Sequence, residues 1–496
     1  MSPLLVQSLT CATSPELLAQ RLPAGSGAVL LRSSLFEGTS ARYSFVAVNP
    51  IAVFQSFGAR CETHRAGSTV AEIQYGSPWQ VLDALLAKFE VLDEPDLPFP
   101  LGGCFGYWGY DLRHFVEPKL ARKRQDDLEL PDCHLGFYDS LVAFDHHLGQ
   151  AWIIATGLAP DGSRELSRAA AQLEFWKRRI SAAEAAAEPP RESLSGPAPD
   201  IAWHSNFTKP GFVAAVRRAQ QYIRAGDIYQ VNLAQRITVD LPGAPRGWDD
   251  RRPRVGSLDG WRVYERLTAV SPAPFSAFLD CNRFQLASSS PELFLRLSGR
   301  QIQTRPIKGT RPRSADPTRD AQLAYELRTS SKEMAELVMI TDLLRNDLGR
   351  VCEFGSVHVP DLARLERFAQ VQHLVSTVEG RLRPDVTHGA ALSACFPGGS
   401  VTGAPKFRAQ QIIDELEPVC RGPYTGALGY LGFNRESQLS ITIRSAVCLD
   451  GRAHYHAGAG IVADSHPESE YDETIAKARG FLLALGNMNA AKPAGR

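Results

Sequence analysis

The 496-residue chain carries no net charge, because 54 lysines and arginines balance 54 aspartates and glutamates. A polyanionic partner such as nucleic acid is therefore not expected. No segment approaches about 18 uninterrupted apolar residues, and the opening MSPLLVQSLTCATSPE lacks a basic start leading into an apolar run. A soluble cytoplasmic protein with no membrane association is the expectation. The nine cysteines, at positions 11, 61, 104, 133, 281, 352, 395, 420 and 448, are odd in number and include no C-x-x-C pair. Neither a disulfide framework nor a zinc knuckle is suggested, and buried reduced thiols are expected. A P-loop is also missing: Gly398 and Gly403 have the G-x-x-x-x-G spacing, but Ala404 follows where lysine is required.

At this length the chain can hold more than one core, although large single enzyme folds reach the same size. Residues 28 to 54 contain the short β-rich runs AVLLRSS, RYSFVAV and IAVF, broken by turn residues. Residues 78 to 92 predict an amphipathic helix through Val81, Leu82, Leu85 and Leu86. In PFPLGGCFGYWGYD, residues 98 to 111, glycines lie between aromatics, as they do where backbones approach closely. Residues 137 to 156 read as two strands joined near Asp145 to Gly149, with His146 and His147 in a solvated turn. The segment SAAEAAAEPPRESLSGPAPD, residues 181 to 200, has little that could fill a core and predicts a linker. It divides the chain into regions 1–180 and 201–487, followed by a tail at 488–496.

After this boundary Thr208 is placed as the N-cap of a helix with Pro210 in its first turn and Gly226 as its stop. A strand follows, with Tyr229, Val231 and Leu233 on one side and Gln230 and Asn232, candidates for a pocket wall, on the other. Residues 241 to 260 read as a solvated surface insertion.

The chemistry gathers around TRPIKGTRPR, residues 304 to 313. Pro306, Gly309 and Pro312 exclude a helix, so Lys308 is set on a loop. It is either a solvated surface cation or a nucleophile whose pKa is lowered by burial or by Arg305 and Arg311. Downstream, Glu333 and Glu336 lie at i and i+3 on one predicted helix, and Glu470 and Glu473 repeat that spacing on another. Such pairs are either solvated helix charges or hard oxygen ligands for Mg²⁺. FPGGSVTGAPK and HAGAGIVADS are glycine-rich segments, read as tight turns or as rows of backbone N–H groups for a carboxylate. Tyr424, Tyr430 and Arg444 are anchor candidates, with Arg444 placed on a strand, and His373 in VQHLVS is a structural histidine or an acid/base.

Taken together and in order, these segments resemble the chorismate-utilising enzymes. The resemblance rests on GDIYQVNLAQR, SPAPFSAFL, SSSPELF, PIKGTRPR, KEMAELVMITDLLRND, VQHLVS, FPGGSVTGAPK, GPYTGALGYL, IRSAV and GAGIVADSHPESEYDET. LLRSS, ARYSF and GYWGYD extend it to an anthranilate-synthase-like amino-terminal half. It implies an α+β fold, with large antiparallel sheets packed together, helices outside and the site in a cleft.

Within the family, members that add water to chorismate carry a lysine at the position of Gln230, so hydroxylation is disfavoured. Anthranilate-forming members resemble PIAGT at the central loop, and members that aminate C4 resemble PIKGT. Lys308 therefore implies 4-amino-4-deoxychorismate as product. Amination at C2 with loss of pyruvate, or an inactive tryptophan-sensing protein of the same fold, are the alternatives. The resemblance makes Lys308 and His373 catalytic and puts Tyr424, Arg444, Gly460, Gly309, Thr310, Thr402 and Gln230 around the substrate. Glu336 and Glu473 become the leading Mg²⁺ ligands, with Glu333 and Glu470 beside them. Ser33, Arg42, Tyr43 and Ser44 match the region where relatives hold tryptophan, although Arg32 replaces the glutamate usual in anthranilate synthases. No cysteine between glycines with downstream His and Glu is present, so ammonia is expected from a separate glutamine amidotransferase subunit.

Overall fold

The computed structural model describes residues 3–10, 13–33, 42–92, 97–120, 122, 126–185, 202–241, 260–368 and 371–486. Among the described residues two twelve-stranded sheets, antiparallel at every pairing, organise the chain; eleven strands of each lie in one row, and Gly403–Ala404, beside Gln230–Asp240, and His358–Arg367, beside Val371–Arg381, are the twelfth strands of the first and the second. The first runs Leu5–Leu9, Gln150–Ala155, Ser140–Asp145, Tyr43–Ala47, Val29–Arg32, Phe275–Asp280, Gln285–Ser290, Ser445–Leu449, Arg452–Ile461, Gln230–Asp240 and Trp203–Ser205. The second runs Ile307–Pro312, Val371–Arg381, Gln301–Arg305, Leu293–Ser298, Glu436–Ile441, Ala427–Gly432, Gly103–Trp108, Cys133–Tyr138, Ala52–Phe57, Arg60–Arg65 and Glu72–Tyr75. Each therefore takes strands from both sides of the 181–200 segment. The two stretches of chain are interleaved in one pair of sheets.

The α+β expectation holds. Phe45, Leu141 and Leu286 of the first sheet meet Phe105, Tyr107 and Leu428 of the second in one apolar layer. Helices cover both outer faces: Trp176 and Phe481 pack on the first sheet, and Leu82, Ile340 and Leu392 on the second. The glycine-aromatic run 98–111 explains how the second sheet closes. A Cβ at Gly106 would stand 2.0 Å from the His134 carbonyl oxygen, so only glycine admits the neighbouring strand.

Local signals were mostly realised. The predicted helix at 78–92 forms as Pro78–Leu86 and stops early, because Phe89 turns into the core and Val91 N–H donates to the Phe433 carbonyl at 2.8 Å. The linker expectation is corrected at 181–185, where helix Leu166–Ala185 continues and buries Ala183. The remainder of that segment, 242–259 of the predicted insertion and the 488–496 tail lie outside the described residues. Eight cysteines are described, all as free thiols, with seven buried; Cys11 lies outside. Among the described residues no helix is long and apolar enough to cross a membrane.

Helix Lys209–Arg224 begins as its sequence requires: Gly211 N–H donates to the Thr208 hydroxyl at 3.2 Å, while Phe212, Val216 and Ala219 are buried. Thr208→Ala should lower unfolding free energy by about 1 kcal/mol. Urea denaturation should show a lower midpoint with an unchanged slope.

Candidate active site

Between the ends of the two sheets lies a cavity of about 590 Å³. Its central side chain comes from an unexpected element. TRPIKGTRPR is not a loop: Ile307–Pro312 is an edge strand paired to Val371–Arg381, with Lys308 opposite Leu374 and Thr310 opposite His373. Prolines are compatible with an edge because Pro306 precedes the strand and Pro312 ends it. The register shifts at Gly309, whose φ is +69°. A Cβ there would come within 2.7 Å of Leu327 Cδ1, so this bulge needs glycine. Lys308 Nζ reaches 3.5 Å from the Ser400 carbonyl, and Thr310 Oγ1 lies 2.9 Å from His373 Nδ1. Burial holds the His373 imidazole below the usual histidine range, favouring its neutral form.

The arginines expected to act on Lys308 are otherwise engaged. Arg305 pairs with Glu366, and Arg311 Nη1 stands 3.5 Å from Glu333 Oε1. The charged neighbours that sense Lys308 are carboxyls, Glu292 and Glu336. Glu292 was missed from the sequence. It precedes strand Leu293–Ser298, is 7% exposed, and interacts with the Ser400 hydroxyl and the Ile307 backbone N–H. Burial raises its carboxyl above the usual range. An acid inside the otherwise uncharged SSSPELFL was the available signal.

Helix Ser331–Gly349 buries Leu337, Ile340 and Leu344, which turns Glu333 and Glu336 to the cavity. Helix Pro467–Ala484 presents Glu470 and Glu473 to the same space. Burial, then Glu333 and Glu473, keep the Glu336 carboxyl above its usual range; burial, then Glu473, does the same for Glu470. Four hard oxygen donors around one cavity suit a divalent cation in their chemistry. Among the described residues, however, no three ligating side chains stand close enough to hold an ion as they are.

Arg444 lines the cavity but is not on a strand, which corrects that expectation. It occupies the bend between Glu436–Ile441 and Ser445–Leu449 with φ +53°, a conformation uncommon for arginine. Tyr424 stacks on His456 with ring centroids 5.1 Å apart, above the buried Arg421–Glu417 pair. Gly460 also faces the cavity, from strand Arg452–Ile461 instead of a glycine loop.

Two expected substrate contacts lie behind the wall. Thr402 is fully buried and donates its hydroxyl to the Gly398 carbonyl at 3.0 Å. Gln230 is covered because its strand pairs with Gly403–Ala404, and its amide packs beneath Gly460. Asn232 is the strand residue that reaches the cavity, while its amide donates to the Val401 carbonyl at 3.1 Å. Tyr229 is 72% exposed, away from the buried Val231 and Leu233.

A second cavity, of about 40 Å³, is lined by Ser33, Tyr43 and Phe45 of the first chain region and by Phe275, Leu428 and Tyr430 of the second. Tyr430 thus belongs here and not with Tyr424. Ser44 stands one layer back, its Oγ 2.6 Å from His146 Nε2, and Arg42 turns to Asp145 at 2.6 Å. His146 is accordingly not a solvated turn residue; burial, then Arg32, pushes its pKa down to about 4.

The signature of chorismate binding enzymes matches residues 32–483. The chain is 38% identical to anthranilate synthase component 1 of Acetivibrio thermocellus, over 95% of this chain and 92% of that one. It is 37% identical to aminodeoxychorismate synthase component 1 of Escherichia coli (strain K12), over 98% and 99%. The crystal structure of anthranilate synthase component I from Streptococcus pneumoniae TIGR4 superposes with a TM-score of 0.74 at 29% identity, covering 95% of this chain and 97% of that one. By sequence and by fold, the chain belongs to the chorismate binding enzyme family.

Proposed function

We propose that this enzyme aminates chorismate at C4, as an aminodeoxychorismate synthase component 1 on the route to para-aminobenzoate and folate. The observation that carries the reading is Lys308, a primary amine on an edge strand facing the cavity beside the buried Glu292 carboxyl. The lone pair of Nζ attacks ring carbon C2, both conjugated ring double bonds shift by one position (C1=C2 to C1=C6 and C5=C6 to C4=C5), and the C4–O bond breaks as Glu292 gives its proton to the departing hydroxyl, releasing water. Ammonia then adds at C4, both double bonds shift back, the C2–N bond to Lys308 breaks, and the enolpyruvyl group is retained. Neutral His373, hydrogen-bonded to Thr310, would serve as the base that takes a proton from the incoming ammonia.

Glu336 and Glu473, with Glu333 and Glu470 beside them, would hold Mg²⁺, which when bound would neutralise the ring carboxylate and the charge developing at the leaving oxygen. Arg444, Tyr424 and the backbone at Gly460 suit the enolpyruvyl carboxylate, since all three border the cavity. The component 1 names of the relatives support a glutamine amidotransferase partner as ammonia source, and the pathway fits a cytoplasmic location. For the small second cavity, aromatic lining and a buried Ser33 hydroxyl with no hydrogen-bond partner among the described residues would suit an aromatic amino acid such as tryptophan. The gathering of lysine, histidine and carboxylates in one cavity weighs against an inactive sensor.

Relatives that form anthranilate are as similar as those that aminate C4, so product identity is the deciding test. Incubation with chorismate, Mg²⁺ and ammonium should yield 4-amino-4-deoxychorismate, converted to para-aminobenzoate only when a lyase is added. Fluorescent anthranilate formed without a lyase would overturn the C4 reading.

A further inference from the structure

Two buried guanidiniums lie behind the wall that carries Tyr424. Arg113 and Arg421 stand over the Tyr110 ring, with their Cζ atoms 4.5 Å and 4.7 Å from its centre, and Arg421 also lies 5.5 Å from the centre of the Tyr424 ring. Tyr110 and Arg113 belong to the first chain region, none of whose described residues borders the main cavity. Strand pairing brings them here. The ladder between Gly103–Trp108 and Ala427–Gly432 ends with Trp108 opposite Ala427, and Tyr110 N–H then donates to the Gly422 carbonyl at 2.8 Å. A Cβ at Gly426 would stand 2.0 Å from the Trp108 carbonyl oxygen, so the two segments meet backbone to backbone.

Arg421 ties three parts of the cavity wall together. It is buried, pairs with Glu417, and donates to the Asn232 carbonyl at 2.7 Å and to the Val401 carbonyl at 3.1 Å. Asn232, Val401 and Tyr424 all border the main cavity. The N–H groups of a guanidinium lie in its plane, which leaves its faces to aromatic rings. Tyr110 supplies one such ring. It is buried, and its hydroxyl has no hydrogen-bond partner among the described residues, so the side chain acts through its ring.

We propose that Tyr110 is a positioning residue for the substrate: its ring, together with Arg113, holds the Arg421 guanidinium and thereby fixes Tyr424 and the wall beside it. This rests on the reading of Tyr424 as a contact of the enolpyruvyl carboxylate. A cation–π contact is strongest where water is excluded, as it is around these buried side chains. Without the ring the guanidinium is free to tilt, and its bonds to the Asn232 and Val401 carbonyls loosen. In C4 amination the enolpyruvyl carboxylate takes no part in bond changes, so a contact to it is as strong in the ground state as in the transition state. Loosening that contact raises KM and leaves kcat as it was.

Steady-state kinetics of the full chain with Mg²⁺ and ammonium, followed as chorismate consumption, test the assignment. Tyr110→Met, whose flexible side chain fills much of the volume without a ring, should raise KM for chorismate about five-fold and leave kcat unchanged. Tyr110→Phe keeps the ring, loses only the unpaired hydroxyl, and should show the wild-type KM. A merely structural tyrosine would give the opposite split, because partial unfolding removes active enzyme and lowers kcat at constant KM. That split in Tyr110→Met overturns the proposal, as does an equal rise of KM in Tyr110→Phe. Should Tyr110→Met not fold, Tyr110→His carries the test: its smaller ring should give a raised KM, and a wild-type KM overturns the proposal. Tyr424→Phe separates the two readings. If it raises KM while Tyr110→Met does not, the positioning alone falls; if its KM is that of wild type, the carboxylate contact falls and the positioning falls with it.

Discussion

Replacing Lys308 by alanine is expected to reduce amination by on the order of 10³-fold or more, because the step it performs has no substitute among its neighbours. Intact-mass measurement during turnover should show wild type carrying chorismate less water, and the variant carrying nothing. The adduct is the more telling readout. A lysine that merely attracted the substrate would lower affinity when removed, yet no mass would ever have appeared on the wild type. Folding should be little affected, since Lys308 is only half-buried and its side-chain hydrogen bond, to the Ser400 carbonyl, is long at 3.5 Å. Undiminished turnover in Lys308→Ala refutes the nucleophilic role whatever the product.

Glu292→Gln should cost roughly 10²- to 10⁴-fold in turnover, the range for loss of a general acid. The carboxyl is buried, so its proton is retained to higher pH than in an ordinary glutamate. The sign follows: the active, protonated form is present below the raised pKa and lost as pH rises through it. Wild-type activity should fall along that limb, and the glutamine variant should lack it. The adduct on Lys308 should disappear as well, because C4–O cleavage and C2–N formation belong to one step. If Glu292 only braces the strand, the variant will lose stability while its pH profile keeps the wild-type shape.

Glu292 and Lys308 also mark where sequence reading stopped. Lys308 was visible because a lone lysine between two prolines beside a glycine is unusual, yet those prolines argued for a loop. The ladder to Val371–Arg381 made it a strand, since an edge position tolerates missing donors and the bulge at Gly309 absorbs the register shift. Glu292 was passed over because local sequence does not report burial. Its surroundings are made by Ser400 and Ile307, brought beside it by the fold. Gln230 and Thr402 are the converse case: the meeting of their two segments buries both side chains, which local sequence does not report.

Periodicity alone was sufficient for the helices that carry Glu333, Glu336, Glu470 and Glu473, because an i, i+3 pair opposite an apolar stripe has one way to face. Capping alone was sufficient at Thr208, where the donor and acceptor lie three residues apart. The ordered motifs carried the family. Everything that depends on long-range pairing came from the fold: the interleaving of both chain regions in two sheets, the left-handed bend that aims Arg444, and the meeting of two acidic helices around one cavity. Local propensity acts over a few residues, whereas those features are set by packing between segments hundreds of residues apart.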